Sequence, residues 1–261
     1  MTQMNDQRIL EIYEKKATKH GDYNAVLDAS DNPISMRANM WHDYFLKREM
    51  AVILKPKNTD VLLDFGTGVG RLSIFFSPLV SKIVGIDVSQ KMLDIAKKKQ
   101  PKNVEYLLAS DFYTQKNRDD QFDKIYSCWV LASISNELLK ESIKQLYPAL
   151  KSGGKFVFLE QTKKNDLFEG DNHVKRSVRT YIKMFEEEGF VLEEYKHAIR
   201  IPAYTMNFWK KNSWLPKAIL PAFYLIEKRL LNRKPEFIDY YTTAFVFKKQ
   251  KKSLNLFGQS K

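Results

Sequence analysis

The chain is poor in several residue types and patterns, and each shortage excludes something. Among 261 residues there is one cysteine, Cys128, which excludes an internal disulfide and a cysteine-based zinc site. The four histidines, His20, His42, His173 and His197, never fall at metal-ligand spacing, so no metal is expected. No run of about eighteen apolar residues occurs, and no segment is expected to span a bilayer. The opening stretch MTQMNDQRILEIYEKKATKHG lacks the apolar centre of a signal peptide, which leaves a reducing cytoplasm as the expected compartment. Internal repeats and low-complexity runs are missing as well.

What is present is a 44% hydrophobic content, enough at this length for one good core. The net charge of +12 is unevenly spread. From Lys196 to the C-terminal Lys261, fourteen Lys/Arg face three acids, and the rest of the chain is nearly neutral. A basic C-terminal quarter suits an anionic partner such as a phosphorylated substrate, a membrane surface or nucleic acid. The alternative is an ordinary solvated surface with a charged tail.

Residues 1–56 read as helices with a loop around SDNPIS, ending on MWHDYFLKREMAVIL, where Trp41, Tyr44, Phe45 and Leu46 recur near helical spacing. From Thr59 the pattern alternates. The apolar runs VLLDF (61–65), KIVGIDV (82–88), VEYLLA (104–109), FDKIYSCWV (122–130) and GKFVFLE (154–160) read as strands buried on both faces. Helices lie between them, including SQKMLDIAKKK capped by Ser89 and NELLKESIKQLYPALK capped by Asn136 and stopped by the SGG at 152–154. An amphipathic helix, SVRTYIKMFEEEGF, ends at Gly189 and leads into a strand, VLEEYKHAI. A final strand, YYTTAFVFKK, follows only after some forty residues of insertion. Alternating β and α elements imply an α/β fold, a mostly parallel, doubly wound sheet.

The chemistry begins at VLLDFGTGVGRLS, a strand, a glycine turn and a helix start. Its glycines are Gly66, Gly68 and Gly70, and Arg71 stands where a dinucleotide fingerprint needs its third glycine. No Gly-Lys-Ser/Thr follows, so the phosphate loop of nucleotide hydrolases is excluded too. Such a turn still brings backbone amides close to a ligand. Asp87 ends the second strand beside the switch-point crevice and can accept from both ribose hydroxyls; Asp111 ends the third and can accept from an adenine amine, with Phe112 near the ring. Singly, each acid could be a helix cap. Three acids (Asp64, Asp87, Asp111) at successive strand ends make an adenosine-shaped crevice.

In order and spacing, LLDFGTGVGRLS, VGIDVSQKMLDIAKKK, VEYLLASDF, FDKIYSCWVLASI and LKSGGKFVFLEQT resemble successive motifs of the class I S-adenosylmethionine (SAM)-dependent methyltransferases, over roughly residues 57–200 and the closing strand. The resemblance implies a Rossmann-like seven-stranded sheet with its last strand antiparallel, and SAM as cofactor. It further implies that Asp64 helps hold the ligand's ammonium through water, and that Gly66, Thr67 and Gly68, in the loop closed by Gly70, pass under the methionine portion. Asp87 would take the ribose, with Val88 and Met92 near the adenine. Ser110, Asp111 and Phe112 would frame the base, and Cys128 and Trp129 would flank the sulfonium.

The motifs leave the acceptor open. Candidates for acceptor chemistry are His42, otherwise a helix-surface or partly buried histidine; Glu160, expected to point into the crevice; and His173 in the polar loop NDLFEGDNHVKRS. Cys128 lacks the preceding proline of the enzymes that methylate cytosine carbon, and SCWVLAS lacks the Asn/Asp-Pro-Pro-aromatic motif of those that methylate nucleic-acid amines. Nucleic acid is therefore disfavoured. Basic and aromatic residues in the insertion suit a lid, an interfacial helix or an entry for an anionic or lipid-linked substrate. The expected layout is a helical cover (1–56), the methyltransferase domain (57–250, insertion about 200–239) and a basic tail (251–261). The expected reaction is methylation of oxygen on a small-molecule or glycan acceptor. The alternatives are a quinone or lipid acceptor, RNA, a peripheral membrane contact, or SAM binding without catalysis.

Overall fold

The computed structural model describes residues 6–20, 33–168, 173–200, 214, 216–231 and 240–250. The tail at 251–261 and much of the expected insertion lie outside these residues. Two helices come first, α1 (Asp6–His20) and α2 (Pro33–Leu54). There follow β1 (Val61–Phe65), α3 (Arg71–Phe76), β2 (Lys82–Asp87), α4 (Gln90–Lys97), β3 (Val104–Leu108), α5 (Ala109–Thr114) and β4 (Phe122–Cys128). Next are α6 (Asn136–Ala149), β5 (Leu150–Lys163), a small hairpin of β6 (Leu167–Phe168) and β7 (Val174–Lys175), α7 (Val178–Glu187) and β8 (Phe190–Arg200). The helix Leu220–Leu231, here α8, and β9 (Tyr240–Lys249) close the order.

Seven strands form one sheet in the order β3-β2-β1-β4-β5-β9-β8. The first five pair in parallel, and β9 enters antiparallel between β5 and β8. The strand order reverses at β1 and β4, which opens a crevice above their carboxyl ends. Each central strand feeds two cores. In β1, Leu62 packs with Phe45, Met50, Phe76 and Leu93 on one face, and Leu63 with Ile143, Phe158 and Phe185 on the other. Helices α2, α3, α4 and α8 therefore cover the first face, and α5, α6 and α7 the second.

Two local expectations are corrected. The side chain that caps α6 is Ser135, whose Oγ accepts from Leu138 N at 3.1 Å; Asn136 is the first helical residue. The glycines at 153–154 do not stop that helix. They lie inside β5, with Gly153 at φ 78° and a register shift opposite Phe122 and Lys124. Pairing with β4 across the sheet outweighs the local stop signal. Ser89 and Gly189 behave as the sequence suggests: Ser89 Oγ accepts from Met92 N at the start of α4, and Gly189 takes φ 87° just past α7.

Candidate active site

The glycine turn joins β1 to α3 and needs its glycines. Gly66, Gly68 and Gly70 all have positive φ (73°, 55° and 75°), a region costly for side chains with a Cβ. A Cβ on Gly66 would lie 2.5 Å from Val130, and one on Gly70 would lie 2.3 Å from the Tyr106 hydroxyl. The turn is braced from within: Gly66 N and Thr67 N both donate to Ile86 O at 2.9 Å, and Gly68 N donates to Asp87 Oδ2 at 2.8 Å. The other Asp87 oxygen accepts from Ser89 N at 3.0 Å. Asp87 thus ties the first turn to the start of α4. Burial raises its pKa above the ordinary range, against these N–H donors.

One cavity gathers most of the expected cofactor residues. Gly66, Gly68, Asp87, Val88, Met92, Cys128 and Trp129 all line it. The sequence reading missed the rest of its wall, including Tyr13, Tyr113, Val130, Ser133, Ile134 and Leu138. Tyr13 comes from α1, which lies across the opening: its hydroxyl meets Ser133 Oγ at 3.2 Å, Ser89 Oγ donates to Glu14, and Ala17 packs on Val69 and Met92. Nothing in the amphipathic pattern of α1 says which face of the sheet it will cover.

Several expected residues lie elsewhere. Asp64 is 2% exposed and turned into the fold, accepting from Thr67 Oγ1 (2.8 Å) and Ser73 Oγ (2.6 Å); burial pushes its pKa up to about 6. It and Thr67 brace the turn and do not line the cavity. Gly70 packs on Tyr106. Phe112 is a core residue beside Phe122, and Ser110 and Asp111 are exposed on α5, so Ala109 and Tyr113 occupy the wall where these three were expected. The strand ends one residue sooner than the sequence suggests, and the helix that follows turns those side chains away.

The acceptor candidates also separate. Glu160 does not face the cavity: it is 1% exposed, with Oε2 accepting from Ala132 N at 3.2 Å and Oε1 from Gln161 N at 2.8 Å. Burial lifts its pKa to about 7. His173 precedes β7, away from the cavity lining. His42 is 9% exposed on α2 and meets Trp129 edge-on, with ring centroids 5.4 Å apart. Burial, then the charge of Arg71, lowers its pKa to about 4, so the ring is neutral near pH 7. Arg71 is itself buried and pairs with Asp43 at 2.6 Å. Burial also pushes the Cys128 thiol up to about 12, which keeps its proton on and suits a wall residue.

Two features were illegible in the sequence. Trp129 leaves β4 with φ 57°, an uncommon conformation for a bulky residue, and its buried Nε1 has no partner. Arg176 is fully buried and donates to Leu131 O (2.5 Å), Ile134 O (2.7 Å) and Asn136 Oδ1 (2.8 Å). Together with Glu160 it fixes the turn that carries Val130, Ser133 and Ile134 to the cavity.

A cofactor containing adenosine fits this lining. The walls are largely apolar and aromatic, as a base and a thioether chain require, and a strand-end carboxylate lies beside a turn without side chains. Among the described residues no cluster could hold a metal ion.

The methyltransferase domain model matches residues 62–154, the stretch from β1 into β5. The demethylmenaquinone methyltransferase of Lactobacillus johnsonii is 28% identical over 182 residues, covering 65% of this chain and 70% of that protein. That of Symbiobacterium thermophilum is 24% identical over 165 residues, covering 60% of this chain. The match spans 61% of the Symbiobacterium protein's own length. Among solved structures, that of the [4+2]-cyclase SpnF aligns with a TM-score of 0.68 at 16% identity, covering 97% of this chain and 99% of the other. A likeness of that kind concerns the fold alone. The domain match adds what the fold cannot: residues 62–154 match a methyltransferase domain, and together with the relatives this supports a class I S-adenosylmethionine-dependent methyltransferase with S-adenosylmethionine as cofactor.

Proposed function

We propose that this protein methylates a small apolar acceptor of the phenol or quinol type. The observation that carries this reading is the state of the two buried candidate bases, Glu160 and His42, among the described residues. Of the candidate bases, Glu160 spends both oxygens on backbone amides, and His42 is a weak base with a pKa near 4. A sugar hydroxyl holds its proton far too tightly to react without a base. A phenol or quinol ionises much more readily, and its phenolate oxygen or an ortho ring carbon is then nucleophilic by itself. The Trp129 indole in the cavity wall suits such a ring. The two demethylmenaquinone methyltransferases among the relatives lend support from outside the structure.

When bound, the cofactor supplies a methyl group already activated on a sulfonium. The chain contributes alignment and exclusion of water. Asp87, which lines the cavity and keeps lone pairs beside its bonds to Gly68 N and Ser89 N, would accept from the ribose hydroxyls, and Val88, Met92, Tyr113 and Ile134 would enclose the base. Cys128 and Trp129 would wall the reacting end, and the Trp129 backbone at φ 57° sets its indole against His42. Tyr13 and α1 close the cofactor side against solvent.

The experiment is incubation with SAM labelled in its methyl group and an extract of the source cell, then partition of the label. Label in organic-soluble phenolic or quinol compounds supports this reading. Label confined to water-soluble glycans overturns it in favour of a sugar acceptor, and label in RNA overturns the small-molecule assignment altogether.

A further inference from the structure

The helix α8 presents apolar side chains both to the core and to solvent. Its polar residues are tied to the body: Tyr224 Oη donates to Glu49 Oε1 at 2.6 Å, Lys228 Nζ pairs with Glu49 at 2.9 Å and donates to Ala198 O at 3.2 Å, and Glu227 is 5% exposed. Phe223 and Tyr224 pack on the core. Its outward face carries large apolar side chains beside one cation, Arg229. Leu225 is 68% exposed and Ile226 53%, and Trp214, a few residues before the helix, is 74% exposed. Trp214 and Leu225 are the two most exposed large apolar side chains among the described residues. Pro221 and Ala222, one turn earlier, are exposed too.

An unpaired apolar strip of this kind needs an occupant, and the charge around it says which. In sequence it is bracketed by Lys210 and Lys211 on one side and by Arg229, Arg233 and Lys234 on the other. The one acid within the helix, Glu227, is turned inward. Exposed apolar side chains beside Arg229, in a segment whose sequence is this basic, match the boundary of a lipid bilayer with negative headgroups: the apolar side chains enter the acyl layer while cations meet phosphate. No described helix is long and apolar enough to cross a membrane, so the contact would be peripheral.

We propose that the outward face of α8 docks this protein on an anionic membrane surface. The contact is independent of the acceptor, because it uses none of the residues around the cofactor cavity.

The test is flotation of the full-length protein with vesicles of phosphatidylcholine, alone or mixed with phosphatidylglycerol, at low and high salt. The expected result is binding to the mixed vesicles that weakens with salt, and a partition coefficient about tenfold lower for the Leu225→Glu/Ile226→Glu double variant. Both side chains are exposed, so the variant should keep its melting temperature and its stabilisation by S-adenosylhomocysteine, and both are measured as controls. Failure of the wild type to float with anionic vesicles overturns the proposal. So does undiminished binding by the double variant, which would assign the attraction to the basic segments alone. Light scattering on the same samples covers the remaining occupant: a wild-type dimer that the double variant converts to monomer would make this face a self-association surface.

Discussion

At the scale of single residues, the site works through carboxylates that organise backbone. Asp87 is the clearest case, holding Gly68 N and Ser89 N with separate oxygens at the mouth of the cavity. Asp87→Ala should cost about 1–3 kcal/mol by stranding two amides, and should largely abolish the rise in melting temperature that S-adenosylhomocysteine gives the wild type. Differential scanning fluorimetry reads both, and stabilisation by NADH in its place would contradict the cofactor assignment. Asp87 could be found from sequence because a strand-end acid about twenty residues after a glycine turn has a recognisable purpose. The orientation of Asp64 was not so legible. It lies on the face of β1 shared with Leu62, and whether that face meets ligand or core depends on Ser73 and Tyr126, which arrive from α3 and β4. Trp129 gave no signal, since no pattern of residue types announces a positive φ at a tryptophan.

At the scale of elements, two pieces far apart in sequence complete the cavity. The turn at 130–136 is held by Arg176, which reaches it from just before α7 with three hydrogen bonds. Arg176→Met keeps much of the volume but leaves the carbonyls of Leu131 and Ile134 without that donor. We expect a loss of about 2–5 kcal/mol in denaturant unfolding, at about 1–3 kcal/mol for each buried carbonyl that loses its donor. At a temperature where the variant is still folded, its affinity for S-adenosylhomocysteine should fall as well, because Ser133 and Ile134 line the cavity. The second piece is α1. Ala17 is 3% exposed against Val69 and Met92, and Ala17→Arg should lift the helix from the opening. Since the sheet does not depend on α1, isothermal titration should register about a tenfold weaker cofactor while thermal unfolding without ligand changes little. Equal losses in both would show α1 to be part of the cooperative core. Helical periodicity predicted both helices, but the partners of Arg176 and Ala17 follow from chain crossings that periodicity does not encode.

At the scale of the whole molecule, buried titratable groups pull stability in opposite directions with pH. Burial lifts Asp64 to about 6 and Glu160 to about 7, so the unfolded chain releases those protons first, and their contribution falls as pH rises from about 4 to 7. Burial and Arg71 hold His42 down to about 4, so the unfolded chain takes up that proton first, and its contribution falls as pH drops from about 6.5 to 4. The slopes partly cancel in the wild type and separate in variants. Relative to wild type, Glu160→Gln should gain stability as pH rises from about 4.5 to 7, and His42→Phe should gain as pH falls from about 6.5 to 4. Urea unfolding at half-unit steps checks both signs. The sequence alone determined the alternation of strands and helices, the closing strand at Tyr240–Lys249, the glycine turn and the acid that serves it, because periodicity, capping and backbone sterics are local properties. Tertiary structure decided that Glu160 faces inward, that Gly153 and Gly154 belong to a strand, that α1 closes the cofactor cavity and that α8 turns Leu225 and Ile226 outward. Each of those depends on which surface arrives from a distant part of the chain, and burial and pairing energies between distant segments outweigh the local preferences a sequence displays.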